Sequence, residues 1–259
     1  MPDSWDPDQY HRFRAERSAP FFDLLGLIDA RDAPRVVDLG CGTGELTAEA
    51  HRLLAASETL GIDRSPAMLE EARALTVDGL RFEAGDIASF EPSAPFDMVI
   101  SNAALQWVPD HPVVLARWRE ALGANGQLAV QMPTNADHPS HRVAGDVARE
   151  QPFLDAFAGA PPADPVLAVA KPEEYAQLLD DLGFAEQHVR LQVYPHRLGS
   201  TADVVEWVKG TSLTRFRDRL SPDVFDAFVA RYRERLLEEL GDRSPYLYTF
   251  KRILFWARR

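Results

Sequence analysis

The residues best suited to ligand chemistry lie at positions 36–45, which read Val-Val-Asp-Leu-Gly-Cys-Gly-Thr-Gly-Glu. An apolar run ends in Asp38, glycines follow at every second position, and a helix-like segment at 46–54 comes next. Glycines let the backbone approach a ligand closely, and a helix start offers unpaired N–H groups to its polar end. The pattern therefore predicts a strand, a glycine loop and a helix that bind a nucleotide-like ligand.

The spacing of the glycines narrows the ligand. Dinucleotide-binding loops typically read G-x-G-x-x-G, whereas Gly40, Gly42 and Gly44 give G-x-G-x-G, with Asp38 two residues before the first glycine. An acid there would repel a pyrophosphate but suits an ammonium group, and S-adenosylmethionine (SAM) carries an ammonium and no phosphate. A tight strand-to-helix turn without a ligand is the simpler alternative, but three alternating glycines exceed what such a turn needs.

Polar residues follow the next three predicted strands. Asp63 ends the second strand, 25 residues after Asp38, where an acid accepts hydrogen bonds from ribose hydroxyls in doubly wound folds. Asp86 and Ile87 follow the third strand and suit the amine and ring face of an adenine. Asn102 ends the fourth strand, near the point where ligands sit in such sheets. Each residue alone could be an ordinary cap or turn, but together they indicate one cofactor site.

Strands alternating with helices must position these residues. Strands are predicted at 35–39, 59–63, 80–84, 96–101 and 127–132, with helices at 46–54, 67–74 and 110–122. This alternation predicts an α/β fold, a Rossmann-like doubly wound, seven-stranded, mainly parallel sheet. After position 133 the pattern changes to helices at 138–150, 172–182, 201–211 and 222–240, with strands at 185–194 and 246–257. We expect a single domain over 1–259 with an inserted helical lid formed by about 1–28, 136–183 and 200–242.

Composition limits the partners and the compartment. The 28 basic and 40 acidic residues give a net charge of −12, and no basic run offers a footprint for nucleic acid. No apolar window approaches the ~18 residues of a membrane-spanning helix, and the N-terminus has no secretory apolar core. The one cysteine, Cys41, allows no intrachain disulfide. We expect a cytoplasmic monomer that contacts neither nucleic acid nor membrane. Since no histidine is placed to activate its thiol, Cys41 is interpreted as a small packing residue.

Motifs along most of the chain carry a family resemblance. They stand at 5–7, Tyr10, Phe13, 16–17, Pro20, 61–68, 101–111, 130–133, 139–141, 206–208 and 252–258. The sequence thereby resembles the trans-aconitate 2-methyltransferases, class I SAM-dependent methyltransferases. The resemblance implies cofactor contacts by Asp38, Gly40, Cys41, Gly42, Asp63, Arg64, Met68, Asp86, Ile87, Asn102 and Leu105. It also implies that Gln106 and Trp107 position the reacting groups.

The implied reaction transfers a methyl group from a sulfonium to a carboxylate oxygen. A carboxylate is ionised at neutral pH, so we expect no general base and no catalytic residue in that sense. His138 and His141 could mimic a metal pair, but no acid or cysteine completes a site, and no metal is expected. Cations must hold a polycarboxylate, and the candidates are Arg17, His141, Arg142, Arg215 and Arg252. Their ordinary alternative is a solvated surface charge, and Arg17 could instead meet the carboxylate of SAM.

One departure leaves the acceptor open. Many members of the family read Thr-Gly-Leu-Arg-Pro where this chain reads Thr211-Ser-Leu-Thr-Arg215, so that Thr214 replaces the arginine and Arg215 follows it. Arg215 could compensate, or the substrate could be another small-molecule acid or a phenol. A non-catalytic SAM-binding regulator and a nicotinamide-dependent dehydrogenase are the further alternatives.

Overall fold

A seven-stranded sheet organises the protein in this computed structural model, which describes the backbone over 14–259 and the side chains from Ser18 onward. Its strands are β1 (Arg35–Leu39), β2 (Glu58–Asp63), β3 (Leu80–Ala84), β4 (Phe96–Asn102), β5 (Leu122–Pro133), β6 (Glu186–Leu198) and β7 (Tyr246–Arg258). They lie in the order β3-β2-β1-β4-β5-β7-β6. Neighbours among β1 to β5 pair in parallel, and β7 pairs antiparallel with β5.

Helices connect the strands and form much of the later chain. They are α1 (Arg14–Leu25), α2 (Glu45–Leu53), α3 (Pro66–Arg73), α4 (His111–Glu120), α5 (Pro139–Val147), α6 (Phe153–Ala156), α7 (Pro172–Asp181), α8 (Asp203–Lys209), α9 (Thr214–Arg217) and α10 (Pro222–Leu240). Short 3₁₀ helices occupy Ile87–Ser89, Leu105–Trp107 and Pro165–Ala168. Proline stands in the first turn of several of these helices, where its missing N–H has no helical partner to lose.

Both faces of the sheet are covered, which is why its central strands are apolar on both sides. One face packs Val36 and Ile100 against Phe21 and Leu24 of α1. The other packs alternate strand residues, such as Val37 and Leu39, against Trp118 of α4 and Tyr175 of α7. The predicted doubly wound α/β sheet is therefore confirmed.

The chain divides into two compact units, which are described separately. The sheet unit comprises 15–133, 169–192 and 252–259. The second unit contains 134–168 and 193–251 and has a core of its own, rich in aromatic side chains from α9, α10 and the first half of β7. In this core Phe216, Phe228 and Tyr248 are fully buried.

The predicted lid boundaries need correction. Helix α1, which was assigned to the lid, belongs to the sheet unit from Ala15 onward, because Phe21 and Leu24 are fully buried against the strands. Helix α7 also belongs to the sheet unit, since Tyr175 and Leu179 lie in its core. That the second unit acts as a lid stays a prediction. Among the described residues, no helix is both long enough and apolar enough to cross a membrane.

Candidate functional site

The glycine loop joins β1 to α2 and adopts backbone angles that favour glycine at each alternate position. The φ angles are +93° at Gly40, +56° at Gly42 and +76° at Gly44. A Cβ on Gly40 would overlap Cβ of Ala104, and one on Gly44 would lie 2.7 Å from Cε1 of Phe82. These two glycines are therefore needed for packing within the protein.

Gly42 differs from its two neighbours in the loop. A Cβ added to Gly42 would meet no described atom within 4 Å, so packing within the protein does not exclude a side chain there. Its left-handed φ costs a non-glycine residue only about 1–2 kcal/mol. The open space beside the Gly42 backbone is what a closely approaching ligand requires.

Asp38 supplies a buried acceptor at the end of β1. Its side chain is 3% exposed, and Thr47 Oγ1 of α2 donates to Oδ2 at 2.6 Å. Oδ1 is buried and has no hydrogen-bond partner among the described residues. Burial raises the pKa of this carboxyl from 3.8 to about 7, with the Thr47 hydrogen bond lowering it and the charge of Asp63 raising it further. An ammonium group is a chemically fitting partner for Oδ1, because it donates hydrogen bonds and favours the ionised carboxylate.

Asp63 holds the loop from the end of β2. Its Oδ2 accepts a hydrogen bond from the backbone N–H of Gly42 at 2.9 Å, and its Oδ1 accepts one from Ser65 N–H at 2.9 Å. The half-buried carboxylate thus links the glycine loop to the start of α3. A carboxylate has about four acceptor positions, so two remain for ligand hydroxyls. The predicted ribose contact is compatible with this geometry and stays a prediction.

Three further predicted cofactor residues have different surroundings. Cys41 is buried against a small core that includes Phe82, and burial, followed by the charges of Asp38 and Asp63, raises the pKa of its thiol. The thiol is therefore neutral, as expected of a packing residue. Met68 of α3 is buried, whereas Arg64 is exposed.

Asp86 and Ile87 lie at the third strand end. Asp86 is exposed, and its Oδ1 accepts a hydrogen bond from Ala88 N–H at 2.9 Å, which begins the 3₁₀ helix Ile87–Ser89. Ile87 is fixed by its carbonyl, which accepts from Nε1 of Trp118 at 2.9 Å. Both residues stand where an adenine was predicted, and their contacts with it stay a prediction.

The segment after β4 carries a second unpartnered acceptor. Nε2 of Gln106 donates to the carbonyl of Ala103 at 2.7 Å, and Oε1 of Gln106 is buried with no partner in the described part of the chain. Trp107 is half-buried at the end of the same 3₁₀ helix. The side chain of Leu105 is fully buried in the core, and its predicted contact with the cofactor stays a prediction.

The sequence analysis missed the pair that supports this segment. Nε2–H of His111 donates to the Leu105 carbonyl at 3.0 Å, and the hydroxyl of Tyr175 donates to Nδ1 of His111 at 2.6 Å. Burial lowers the pKa of His111, so the imidazole is neutral and bridges the two groups. The signal was present, because His111 falls inside the motif at 101–111, but Tyr175 lies 64 positions further along.

In the second unit, two predicted substrate residues share one carboxylate. Nδ1 of His141 lies 2.8 Å from Oδ2 of Asp164, and Nη2 of Arg215 lies 3.2 Å from the same oxygen. All three side chains are at most 7% exposed. The pKa of Asp164 is lowered because, although burial raises it, the hydrogen bond from His141 and the charges of His141 and Arg215 outweigh burial. Asp164 was not predicted, since it stands in a proline-rich loop.

This cluster keeps unused hydrogen-bonding groups. Nη1 of Arg215 donates to the carbonyl of Ser212, and the guanidinium stacks over the ring of Phe216. Nε of Arg215 and Oγ of Ser212 are buried, and neither has a partner within the residues described. Desolvation lowers the pKa of Arg215 and Asp164 opposes this. A guanidinium keeps its charge in proteins, and the carboxylate of Asp164 pairs with that charge in the cluster.

The described partners of Arg142 and Arg252 are different. Arg142 is about half exposed and pairs with Asp146 and Glu239, so it is a surface charge, and none of its described contacts supports the predicted substrate role. Arg252 lies in β7 in the sheet unit, where it is buried and bonded to Gln131. The side chain of Arg17 lies outside the described residues, as do Tyr10 and Phe13. His138, considered with His141 as a metal pair, bonds to Ser140 instead.

The chain is similar to known methyltransferases over most of its length. A family model described as a methyltransferase domain matches residues 30–175. The trans-aconitate 2-methyltransferase of Deinococcus radiodurans is 45% identical and covers 99% of this chain and 98% of its own length. That of Streptomyces avermitilis is 40% identical, covering 99% and 97%.

Solved structures share the fold. The YcgJ protein from Bacillus subtilis superimposes with a TM-score of 0.59 at 16% identity, covering 92% of this chain and 98% of its own. An S-adenosylmethionine-dependent methyltransferase from Mesorhizobium loti gives a TM-score of 0.52 at 22% identity, covering 94% and 98%. The predicted family resemblance is confirmed by the full-length relatives. The chain belongs to the methyltransferase family whose curated members include the trans-aconitate 2-methyltransferases.

Proposed function

We propose that the protein is an SAM-dependent carboxyl O-methyltransferase that forms a methyl ester on trans-aconitate or a closely related small polycarboxylate. Membership of the methyltransferase family supports the enzyme class and the cofactor. The named activity of relatives at 45% and 40% identity supports the acceptor. In the structure itself, the observation that carries the proposal is the buried cluster in which Arg215 and His141 both contact the carboxylate of Asp164.

The residues at the glycine loop fit the methionyl end of SAM. Oδ1 of Asp38 and Oε1 of Gln106 are buried acceptors without partners in the described part, which is the chemistry that an ammonium group satisfies. Gly42 leaves space for a ligand to approach the protein backbone closely. SAM, when bound, supplies a methyl group on a positively charged sulfur, which an oxygen nucleophile can attack in line.

The reaction needs positioning more than proton transfer. A carboxylate acceptor is already ionised at neutral pH, so the chain needs no base to activate it. Holding an acceptor oxygen in line with the methyl group and excluding water can supply most of the rate enhancement. Gln106 and Trp107 are our candidates for this role, because they directly follow Leu105, whose carbonyl is held by the His111–Tyr175 pair.

Arg215 is our candidate for a carboxylate clamp. Its Nε and the hydroxyl of Ser212 are buried and have no partner among the described residues, and guanidinium groups bind carboxylates through two parallel hydrogen bonds. Asp164 fixes the guanidinium and His141 relative to each other. Thr214, which replaces the family's arginine, is buried and donates to the Thr211 carbonyl at 2.6 Å. We therefore infer that Arg215 compensates for the missing arginine.

The test is an assay of S-adenosylhomocysteine release with trans-aconitate, cis-aconitate, citrate and a phenol. We expect turnover on trans-aconitate in the wild type. Arg215→Lys keeps the charge but loses the two-pronged geometry, so KM for trans-aconitate should rise about tenfold or more while KM for SAM is unchanged. Arg142→Lys is the matched control, because the partners of Arg142 among the described residues are surface acids, and its KM should stay at the wild-type value.

Other outcomes would redirect the proposal. Turnover on a different acid would retain the enzyme class and replace the acceptor, and turnover on the phenol alone would refute a carboxylate acceptor. SAM binding without single-turnover transfer to any compound would favour a regulator. An equal rise in KM for the two lysine variants would refute the clamp at Arg215.

The proposal includes a monomeric, cytoplasmic enzyme with a small-molecule substrate and no nucleic-acid or membrane partner. The net charge of −12 and the single cysteine support this assignment. Light scattering coupled to size exclusion tests the monomer, with a mass of 28.9 kDa expected.

A further inference from the structure

Four polar side chains lie in a row on one face of the sheet unit. Asp38 of β1 pairs in register with Ile100, and Asn102 follows two residues later on the same face. Asn102 of β4 pairs with Gln131 of β5. Gln131 pairs with Leu254 of β7, and Arg252 stands two residues before Leu254. The row therefore runs Asp38, Asn102, Gln131, Arg252 across four neighbouring strands.

Hydrogen bonds connect three members of this row in a fixed direction. Nη1 of the buried Arg252 lies 2.9 Å from Oε1 of Gln131, and Nε2 of Gln131 lies 2.6 Å from Oδ1 of Asn102. A guanidinium can only donate, so the Gln131 atom facing it must be the oxygen. Its amino group must then face Asn102, whose oxygen must accept. The chemistry of Arg252 thus determines which way both amides point.

The consequence is that the oxygen of Asn102 already accepts one hydrogen bond, whereas its amino group remains available as a donor. Its Oδ1 is occupied by Gln131, and no partner for its Nδ2 is found in the part of the chain that the structure describes. The side chain is half-buried at the carboxyl end of β4, next to the backbone of Ala103, whose N–H donates to the Gln131 carbonyl at 2.8 Å. The free amino group suits a negatively charged oxygen and does not suit an ammonium.

We propose that Arg252 and Gln131 are positioning residues that hold the amide of Asn102 with its amino group available to a ligand carboxylate. The unpartnered acceptors Asp38 Oδ1 and Gln106 Oε1 complement a positive group, so donor and acceptors together match the two ends of an amino-acid zwitterion. This assigns Arg252 an indirect role in place of the direct substrate contact predicted from the sequence. The inference rests on the proposed function, because the carboxylate belongs either to SAM or to the acceptor.

We call the chain of hydrogen bonds from Arg252 through Gln131 to Asn102 the relay. Gln131→Glu tests the relay with almost no change of side-chain volume. A glutamate still pairs with Arg252 but cannot donate to Asn102, so the amide of Asn102 should turn and present its oxygen to the ligand. Gln127→Glu is the matched control, because Gln127 lies on the same strand and face, is also buried and, among the described residues, bonds to Asp29 and Trp256 in place of Asn102. Asn102→Asp presents an acceptor directly and covers the case in which Gln131→Glu does not fold.

Calorimetry with two ligands separates the possible sources of the carboxylate. S-adenosylhomocysteine carries the amino-acid end, and 5′-methylthioadenosine lacks it. If the carboxylate is the cofactor's, Gln131→Glu and Asn102→Asp should bind S-adenosylhomocysteine about 10- to 100-fold more weakly, with unchanged affinity for 5′-methylthioadenosine. If it is the acceptor's, both affinities should stay, and trans-aconitate should bind more weakly to protein saturated with S-adenosylhomocysteine.

Either pattern supports the relay, provided that Gln127→Glu does not reproduce it. The relay is refuted if Gln131→Glu and Gln127→Glu give the same affinities for all three ligands, or if Gln131→Glu weakens 5′-methylthioadenosine as much as S-adenosylhomocysteine. Failure of the proposed function has a different signature, since the wild-type protein would then bind neither S-adenosylhomocysteine nor trans-aconitate.

Discussion

Gly42→Ala should separate ligand binding from stability at the glycine loop. The φ angle of Gly42 is +56°, close to the left-handed region that alanine can enter at a cost of about 1–2 kcal/mol. No described atom lies within 4 Å of the added Cβ, so steric overlap within the protein adds nothing. We therefore expect the free energy of unfolding to fall by about 1–2 kcal/mol, which is a decrease in Tm of roughly 2–8 °C.

The effect on the cofactor should be larger than the effect on stability. If the ligand occupies the space beside the backbone of Gly42, a methyl group on that residue must displace the ligand. Such overpacking typically costs about 1–3 kcal/mol. This corresponds to a loss of affinity of roughly 5- to 150-fold. Calorimetric titration with S-adenosylhomocysteine measures the affinity, and thermal unfolding without ligand measures the stability.

A matched glycine in the second unit supplies the control. Gly159 has a φ of +77° and likewise no described atom within 4 Å of an added Cβ. Gly159→Ala should therefore lower Tm by a similar amount and leave the affinity for S-adenosylhomocysteine unchanged. Wild-type affinity in Gly42→Ala would refute the close approach of the ligand, and an equal loss in both variants would show that the effect is not local.

Two further predictions concern buried titrating groups. Burial raises the pKa of Asp38 from 3.8 to about 7. Between these pH values the folded ligand-free protein keeps a proton on Asp38 that the unfolded chain releases. Asp38 should therefore make the free energy of unfolding fall as pH rises from about 4 to 7. Over the same range the affinity for S-adenosylhomocysteine should rise, because the ionised Asp38 carboxylate pairs with the ammonium group of the ligand, and Asp38→Asn should remove both trends. An affinity of the wild type that does not change with pH would contradict this pairing. Tyr175→Phe leaves Nδ1 of the buried His111 without its donor at 2.6 Å, so unfolding should become easier by about 1–3 kcal/mol, measured by urea denaturation. If the pair also positions Gln106 and Trp107, kcat should fall with KM for trans-aconitate nearly unchanged, whereas an unchanged kcat would limit the pair to stability.

The local parts of the site could be predicted from the sequence, and the distant pairings could not. The strand before the glycine loop and the helix at Pro222–Leu240 were predicted with their observed bounds, because apolar periodicity and capping prolines are local signals. Asp38 and Gly42 were recognised for the same reason. The clusters His141–Asp164–Arg215 and Arg252–Gln131–Asn102 each join residues from separate parts of the chain. No local pattern identifies Asp164 or Gln131 as their shared partner.

The points at which the sequence-based predictions and the structure differ also have physical causes. Arg142 directly follows His141 in α5, and adjacent helical residues point about 100° apart, so one is buried on Asp164 while the other meets surface acids. Leu105 lies in the predicted motif, but its side chain fills the core. Helices α1 and α7 have apolar faces like those of any lid, and only the strands that bury Phe21 and Tyr175 show that they belong to the sheet unit.

The place of β7 in the sheet has a consequence for how the protein forms during synthesis. It is the last of the seven strands to be translated, yet it lies between β5 and β6. Ribosomes add about 5–20 residues per second, so for several seconds β5 has an open edge and β6 lacks its neighbour. The nascent chain can assemble β1 to β5 early, but the sheet is completed only after β7 has emerged, by insertion between strands already made. Such non-local pairing is intrinsically slow, and until it occurs the unpaired edge of β5 is a surface on which the nascent chain can aggregate.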